Sequence, residues 1–155
     1  ADAGAAINLS GLTDVNDFSS PDGLWFDPRG VLWIQTDDGA YTDETNCMML
    51  AALPDKVGNG GKKTVGAVDT FMGKTPTQAE LSRFLVGPKD CEVTGIAMTP
   101  DCKSLFVNIQ HPGEDGTLAA MTSHWPASQT NASATSRPRS ATVVITRKDG
   151  GVILG

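Results

Sequence analysis

Apolar residues in this chain come in short runs rather than long amphipathic stripes: Leu24, Trp25 and Phe26, then Val31, Leu32, Trp33 and Ile34, then Met48, Met49 and Leu50. Pro, Gly or Asp lies near the ends of these runs. Runs of this length separated by turn residues predict strands, and unbroken apolar runs suit strands buried on both faces. Further strands are expected at 46–53, 65–72, 81–86, 92–98, 104–109, 141–147 and 152–154, the last two joined by a hairpin turn at Asp149, Gly150 and Gly151. Residues 54–63 hold three glycines and three lysines and read as a turn or flexible loop, while 77–80 suit one helical turn.

Two of these units are copies of each other. Shifted by 72 positions, Gly23, Leu24, Phe26 and Pro28 fall on Gly95, Ile96, Met98 and Pro100. One extra turn residue then places Leu32, Trp33 and Ile34 on Leu105, Phe106 and Val107. Repetition of a strand-turn-strand unit points to stacked β modules. A four-stranded propeller blade spans roughly 40 to 50 residues in common families, so the longer period requires a loop inserted in the blade. The fold class expected is mostly β, with antiparallel sheets forming about two propeller-like blades and few or no helices. The blades are placed at about 18–88 and 89–155, making 18–155 a partial propeller. A flexible lead occupies 1–17, and the Ser-, Thr-, Asn- and Ala-rich stretch at 112–139 reads as a long loop that is functional, mobile or both.

The net charge of −6 and the scattered Lys and Arg argue against nucleic acid as a partner. No apolar run approaches the roughly 20 residues needed for a membrane span, and no targeting signal is visible. Cys47, Cys91 and Cys102 form no CxxC pair, and their odd number leaves their disulfide state open.

The segments SPDGLWFDPRGVLWIQTD, CEVTGIAMTPDCKSLFVNIQHPGE and RPRSATVVITRKDGG, taken in order, resemble the C-terminal part of the PhoX family of bacterial alkaline phosphatases. The resemblance implies a β-propeller whose central cavity holds iron and calcium ions that bind and hydrolyse phosphate esters. It also implies an exported protein, periplasmic or secreted, often by the twin-arginine route. This chain is much shorter than a full member, so the N-terminal blades and their ligands are expected to be missing from it, and the resemblance assigns calcium and iron to the full-length family while leaving open whether this fragment binds either.

Hydrolysis of a phosphomonoester needs positive charge to neutralise the phosphate and stabilise in-line displacement, and hard oxygen ligands suit the metal ions that supply it. Asp22 and Glu92 lie at the starts of their strands, where the strand ends of a propeller converge; the resemblance implies a metal-binding role for the glutamate of CEVTG. Asp37 occupies the related strand end of the first copy and is a further metal candidate, within an acidic stretch that continues to Asp38, Asp43 and Glu44. His111, in QHPGE beside Glu114, is a candidate proton donor, ligand or phosphate contact. Lys89 is a candidate catalytic cation and Arg83 a candidate substrate-binding one. Against each stands a plain structural role, as a turn cap, a solvated strand end or a salt bridge. Cys91 invites an iron-ligand reading, but strand alternation turns it away from Glu92 and into the core. Trp25, Phe26, Trp33 and Phe106 are expected to pack between sheets, and Trp125 to sit at a partner or substrate edge.

These residues suggest a fragment of a metal-dependent phosphatase acting on phosphate monoesters, inactive in isolation and prone to self-association through faces that neighbouring blades would cover. The alternative is a non-catalytic propeller-type binding module that uses the loops at 39–46 and 113–139.

Overall fold

The computed structural model describes residues 8–37 and 45–155. Asp38, Asp43 and Glu44 of the acidic stretch, and the first seven residues of the lead, lie outside the described residues. The chain is mostly β and antiparallel. Strands β1 (Pro21–Phe26), β2 (Leu32–Thr36), β3 (Met48–Ala52) and β6 (Leu81–Val86) form one sheet in the order β1-β2-β3-β6. Between β3 and β6 lie a four-residue helix, α1 (Pro54–Val57), and the separate hairpin β4 (Asn59–Val65) and β5 (Val68–Gly73). The hairpin is the insertion that lengthens the repeat. A three-stranded sheet follows, with β7 (Glu92–Met98), β8 (Ser104–Gln110) and β9 (Ala141–Thr146).

The two copies fold alike, in separate sheets. In the first, Leu24 pairs with Ile34, Trp25 with Trp33 and Phe26 with Leu32. In the second, Ile96 pairs with Val107, Ala97 with Phe106 and Met98 with Leu105. Both pairs are irregular just before these positions, between Pro21 and Gly23 and between Thr94 and Ile96. The reason is local. A Cβ on Gly23 would lie 2.8 Å from Gln35 Oε1, and one on Gly95 would lie 2.5 Å from Asn108 Nδ2, so in each copy a long amide side chain of the second strand folds over a glycine of the first. The Gln35 amide also donates to the Gly95 carbonyl at 3.2 Å, tying the two sheets together.

β7 packs against β1, β2 and β3. The core between the sheets gathers Trp33, Met49 and Ala51 from the first with Val93, Leu105, Val107 and Ile109 from the second. Met48, Leu50 and Ala52 point to the opposite face of the first sheet, where Leu12 and Phe18 cover them. Every residue of β3 is therefore buried, as its unbroken apolar run requires. Residues 8–17 of the lead lie on this face. Asp17 is fully buried there and meets Arg83 at 3.4 Å.

Several expectations are corrected. The stretch read as a loop at 54–63 contains α1 and most of β4, and the strand expected at 65–72 is β5, preceded by a turn at Gly66. Residues 152–154 form no strand: Ile153 is buried, and its N–H donates to the Cys102 carbonyl, so the segment is a turn that seals the core and the second sheet has three strands. Trp125 is no partner edge. It is 6% exposed and belongs to the core between the sheets, and its carbonyl accepts the Arg139 N–H at 3.1 Å. Trp25 and Trp33 pack as expected, the latter edge-on against Phe84 at 4.9 Å, but Phe26 and Phe106 face outward at 58% and 37% exposure. Alternation turns these two away from the shared core, onto faces that the other described elements leave exposed.

Candidate metal centre

Three groups meet where the two copies touch. Glu92 opens β7 and pairs with Gln110, the last residue of β8, so His111 lies beside it just beyond the sheet. Asp37 stands one residue beyond β2, as His111 stands one residue beyond β8. Because β2 packs on β7, these equivalent strand ends converge, and one ligand atom from each of Asp37, Glu92 and His111 lies within 4.8 Å of the others. Sequence reasoning named all three but had no means of joining them, since Asp37 comes from the other sheet.

Glu92 is buried, with 9% of its side chain exposed, and its Oε2 is 3.5 Å from His111 Nε2. That separation is too long for a strong hydrogen bond. The other ring nitrogen, Nδ1, is enclosed, has no hydrogen bond of good geometry, and lies 3.1 Å from Glu114 Oε2. His111 is held with φ of 35°, and its N–H donates to Ser140 Oγ at 3.0 Å. The turn beyond it is tied to the segment entering β7: the Gly113 N–H donates to the Lys89 carbonyl at 3.0 Å and the Glu114 N–H to the Asp90 carbonyl at 3.4 Å. Asp90 itself has φ of 51° and an enclosed Oδ2 without a hydrogen-bond partner.

A buried carboxylate beside a second carboxylate and an imidazole, with few donors aimed at it, suits a cation: burial of like charge is otherwise unfavourable. Two oxygen donors and one nitrogen donor match hard and borderline divalent or trivalent metals. Cys91 is not part of this set. It lies in the core, its sulfur against the position where a Gly87 Cβ would stand, and burial, followed by the charges of Cys47, Asp37, Asp90 and Glu92, pushes its thiol up to about 12. It is a neutral thiol at any ordinary pH.

The remaining candidates fall outside the triad. Asp22 is exposed in the irregular part of β1, at the same end of the first sheet as Asp37. Lys89 is exposed on the segment before β7. Arg83, on the outer strand β6, spends its guanidinium on Asp17 and on the Asp14 and Asp17 carbonyls. Glu114 and Asp90 were missed as site members, although QHPGE and KDCE place each within three residues of a named candidate.

The family model described as alkaline phosphatase PhoX matches residues 2–113. Among solved structures, the chain is similar to Pseudomonas fluorescens PhoX in complex with vanadate, a transition-state analogue. The identity is 40% and the TM-score 0.62, over 89% of this chain and 19% of that one. No curated protein matches. The chain thus spans about a fifth of the length of the solved relative. A match over most of the sequence, together with this structural likeness, places the chain in the PhoX alkaline phosphatase family.

Proposed function

We propose that this chain supplies part of the metal-binding wall of a phosphomonoesterase, with Asp37, Glu92 and His111 as its ligands. The observation that carries this reading is the convergence of those three groups within 4.8 Å in a member of a phosphatase family. The imidazole is compatible with iron, as with other transition metals, and carboxylate-only positions such as Asp22 suit calcium. A bound cation would neutralise the phosphate oxygens and stabilise the charge of an in-line displacement. The residues of the chain do the rest. Glu92 and Asp37 would supply the charge that holds the cation, His111 would add a nitrogen ligand, and Lys89, exposed on the segment before β7, would contact the phosphate. Arg83 is committed to Asp17 and has no place in this proposal.

The described residues bring three candidate ligands together, with Asp22 as a further carboxylate, and more would come from sequence outside this chain, as the length of the solved relative suggests. We expect the chain alone to hydrolyse phosphate esters negligibly, and the enzyme to work in the periplasm or outside the cell. No helix among the described residues is long and apolar enough to cross a membrane. Self-association through the uncovered faces belongs to the same proposal.

The test is hydrolysis of a chromogenic phosphate monoester by a family-length protein containing this region, with Glu92→Gln as the variant. A loss of roughly 100-fold or more in kcat, with folding intact, is expected from removal of a ligand charge. Unchanged hydrolysis in the variant would leave the region as a binding module with structural carboxylates.

A further inference from the structure

We propose that Glu114 is the positioning residue for His111, holding the ring by Nδ1 so that Nε2 faces Glu92. The His111 ring stands between two carboxylates, with Glu114 Oε2 3.1 Å from Nδ1 and Glu92 Oε2 3.5 Å from Nε2. Nδ1 is enclosed and lacks a well-formed hydrogen bond, and an enclosed ring nitrogen takes whatever acceptor a small side-chain rotation can bring into line. Glu114 is that acceptor.

A neutral imidazole carries its proton on one nitrogen and a lone pair on the other. Glu114 is the nearer acceptor, 3.1 Å from Nδ1 against 3.5 Å for Glu92 from Nε2, so it favours the Nδ1–H form and leaves the Nε2 lone pair on the side of Glu92; that is the arrangement of a ligand nitrogen with its orienting partner behind it. The backbone is built to keep it so. The turn bearing Glu114 is bonded through Gly113 and Glu114 to Lys89 and Asp90, the residues that lead into Glu92. One pair of chain segments therefore fixes both sides of the ring. Half of the Glu114 side chain is exposed. The use of this arrangement rests on the metal-centre reading, but its detection does not.

The experiment is long-range proton–nitrogen correlation NMR on the 155-residue chain, without added cation, at a pH well above the ordinary histidine value of about 6.5. The chain has two histidines, and His124 is an internal standard: its Nδ1 lies 2.9 Å from the Ser136 carbonyl, which accepts only, so it must be Nδ1–H. His111 should show the same pattern. Glu114→Ala should shift it towards Nε2–H, and Glu114→Gln, whose amide oxygen still accepts, should restore it. An unchanged His124 signal certifies the fold, and if Glu114→Ala disturbs that signal, Glu114→Lys makes the same comparison. An Nε2–H pattern in the unaltered chain, or no response to either Glu114→Ala or Glu114→Lys, overturns the proposal. Titration with ferric or calcium ion separates the two readings. Correct ring patterns without cation binding retain Glu114 and remove the metal centre, whereas cation binding with His111 as Nε2–H does the reverse. Where the cation binds, Glu114→Ala should weaken it roughly 10- to 100-fold.

Discussion

Asp27 is the residue on which the junction of the two sheets turns. Its side chain is fully enclosed, accepts from the Arg29 guanidinium at 2.6 Å and from the Arg29 and Val31 N–H groups, and lies 3.4 Å from Trp33 Nε1. Arg29 in turn donates to the Ile153 carbonyl at 2.6 Å, joining the first turn to the C-terminal segment. Burial alone would raise the Asp27 carboxyl, but the bonds from Arg29 and Val31 together outweigh it and hold the group below its ordinary value of 3.8. A carboxyl depressed by folding stabilises the native state fully above its unfolded value, and that contribution is lost as pH falls through the lower folded value. Thermal melts of the unaltered chain should therefore show a loss of stability below about pH 4 that is shallower in Asp27→Asn. At neutral pH that variant should be less stable by roughly 3 kcal/mol, because Arg29 loses its charged partner. A melting curve for Asp27→Asn that overlays the unaltered one at both pH values would show the contact to be inert. Of such roles the sequence says little. Arg83 looked like a phosphate contact because its partner, Asp17, lies 66 residues away, and no local pattern announces that pairing.

At the scale of elements, the repeat was legible because each copy buries one face and carries a glycine under an amide side chain. Gly95 has φ of 54° and no room for a Cβ beside Asn108, whose own Oδ1 is held by Thr142 at 2.7 Å. Gly95→Ala should accordingly cost about 2 kcal/mol, read as a lowered denaturation midpoint with unchanged denaturant slope. Of the hairpin β4–β5, the strand expected at 65–72 anticipated β5, but β4 was not legible. Every described side chain of β4 is exposed, so no buried face imprints a period of two on its Gly- and Lys-rich sequence. For the same reason its amides should exchange with solvent far sooner than those of β3 and β8, whose side chains fill the core. Equal protection of β5 and β8 in hydrogen exchange would show that something covers the hairpin. The convergence of Asp37 with Glu92 and His111 was half legible. Strand ends were read correctly within each copy, but which ends meet is decided by β7 docking on β2, a contact between sheets.

At the scale of the whole molecule, the paired Phe106 and Val144 on the second sheet and Leu24 and Phe26 on the first leave apolar surface uncovered. Such faces recruit a neighbour. Sedimentation should show association that rises with concentration and is relieved in the double variant Phe106→Ser with Val144→Thr, whereas a monomer at high concentration would show the faces to be tolerated in water. The central claim concerns the three convergent groups, and metal content after equilibrium dialysis tests it most directly. The account predicts that the chain retains iron or calcium and that Glu92→Gln weakens retention by at least roughly tenfold while melting within a few degrees of the unaltered chain. Equal metal in both proteins, or none in either, would contradict it.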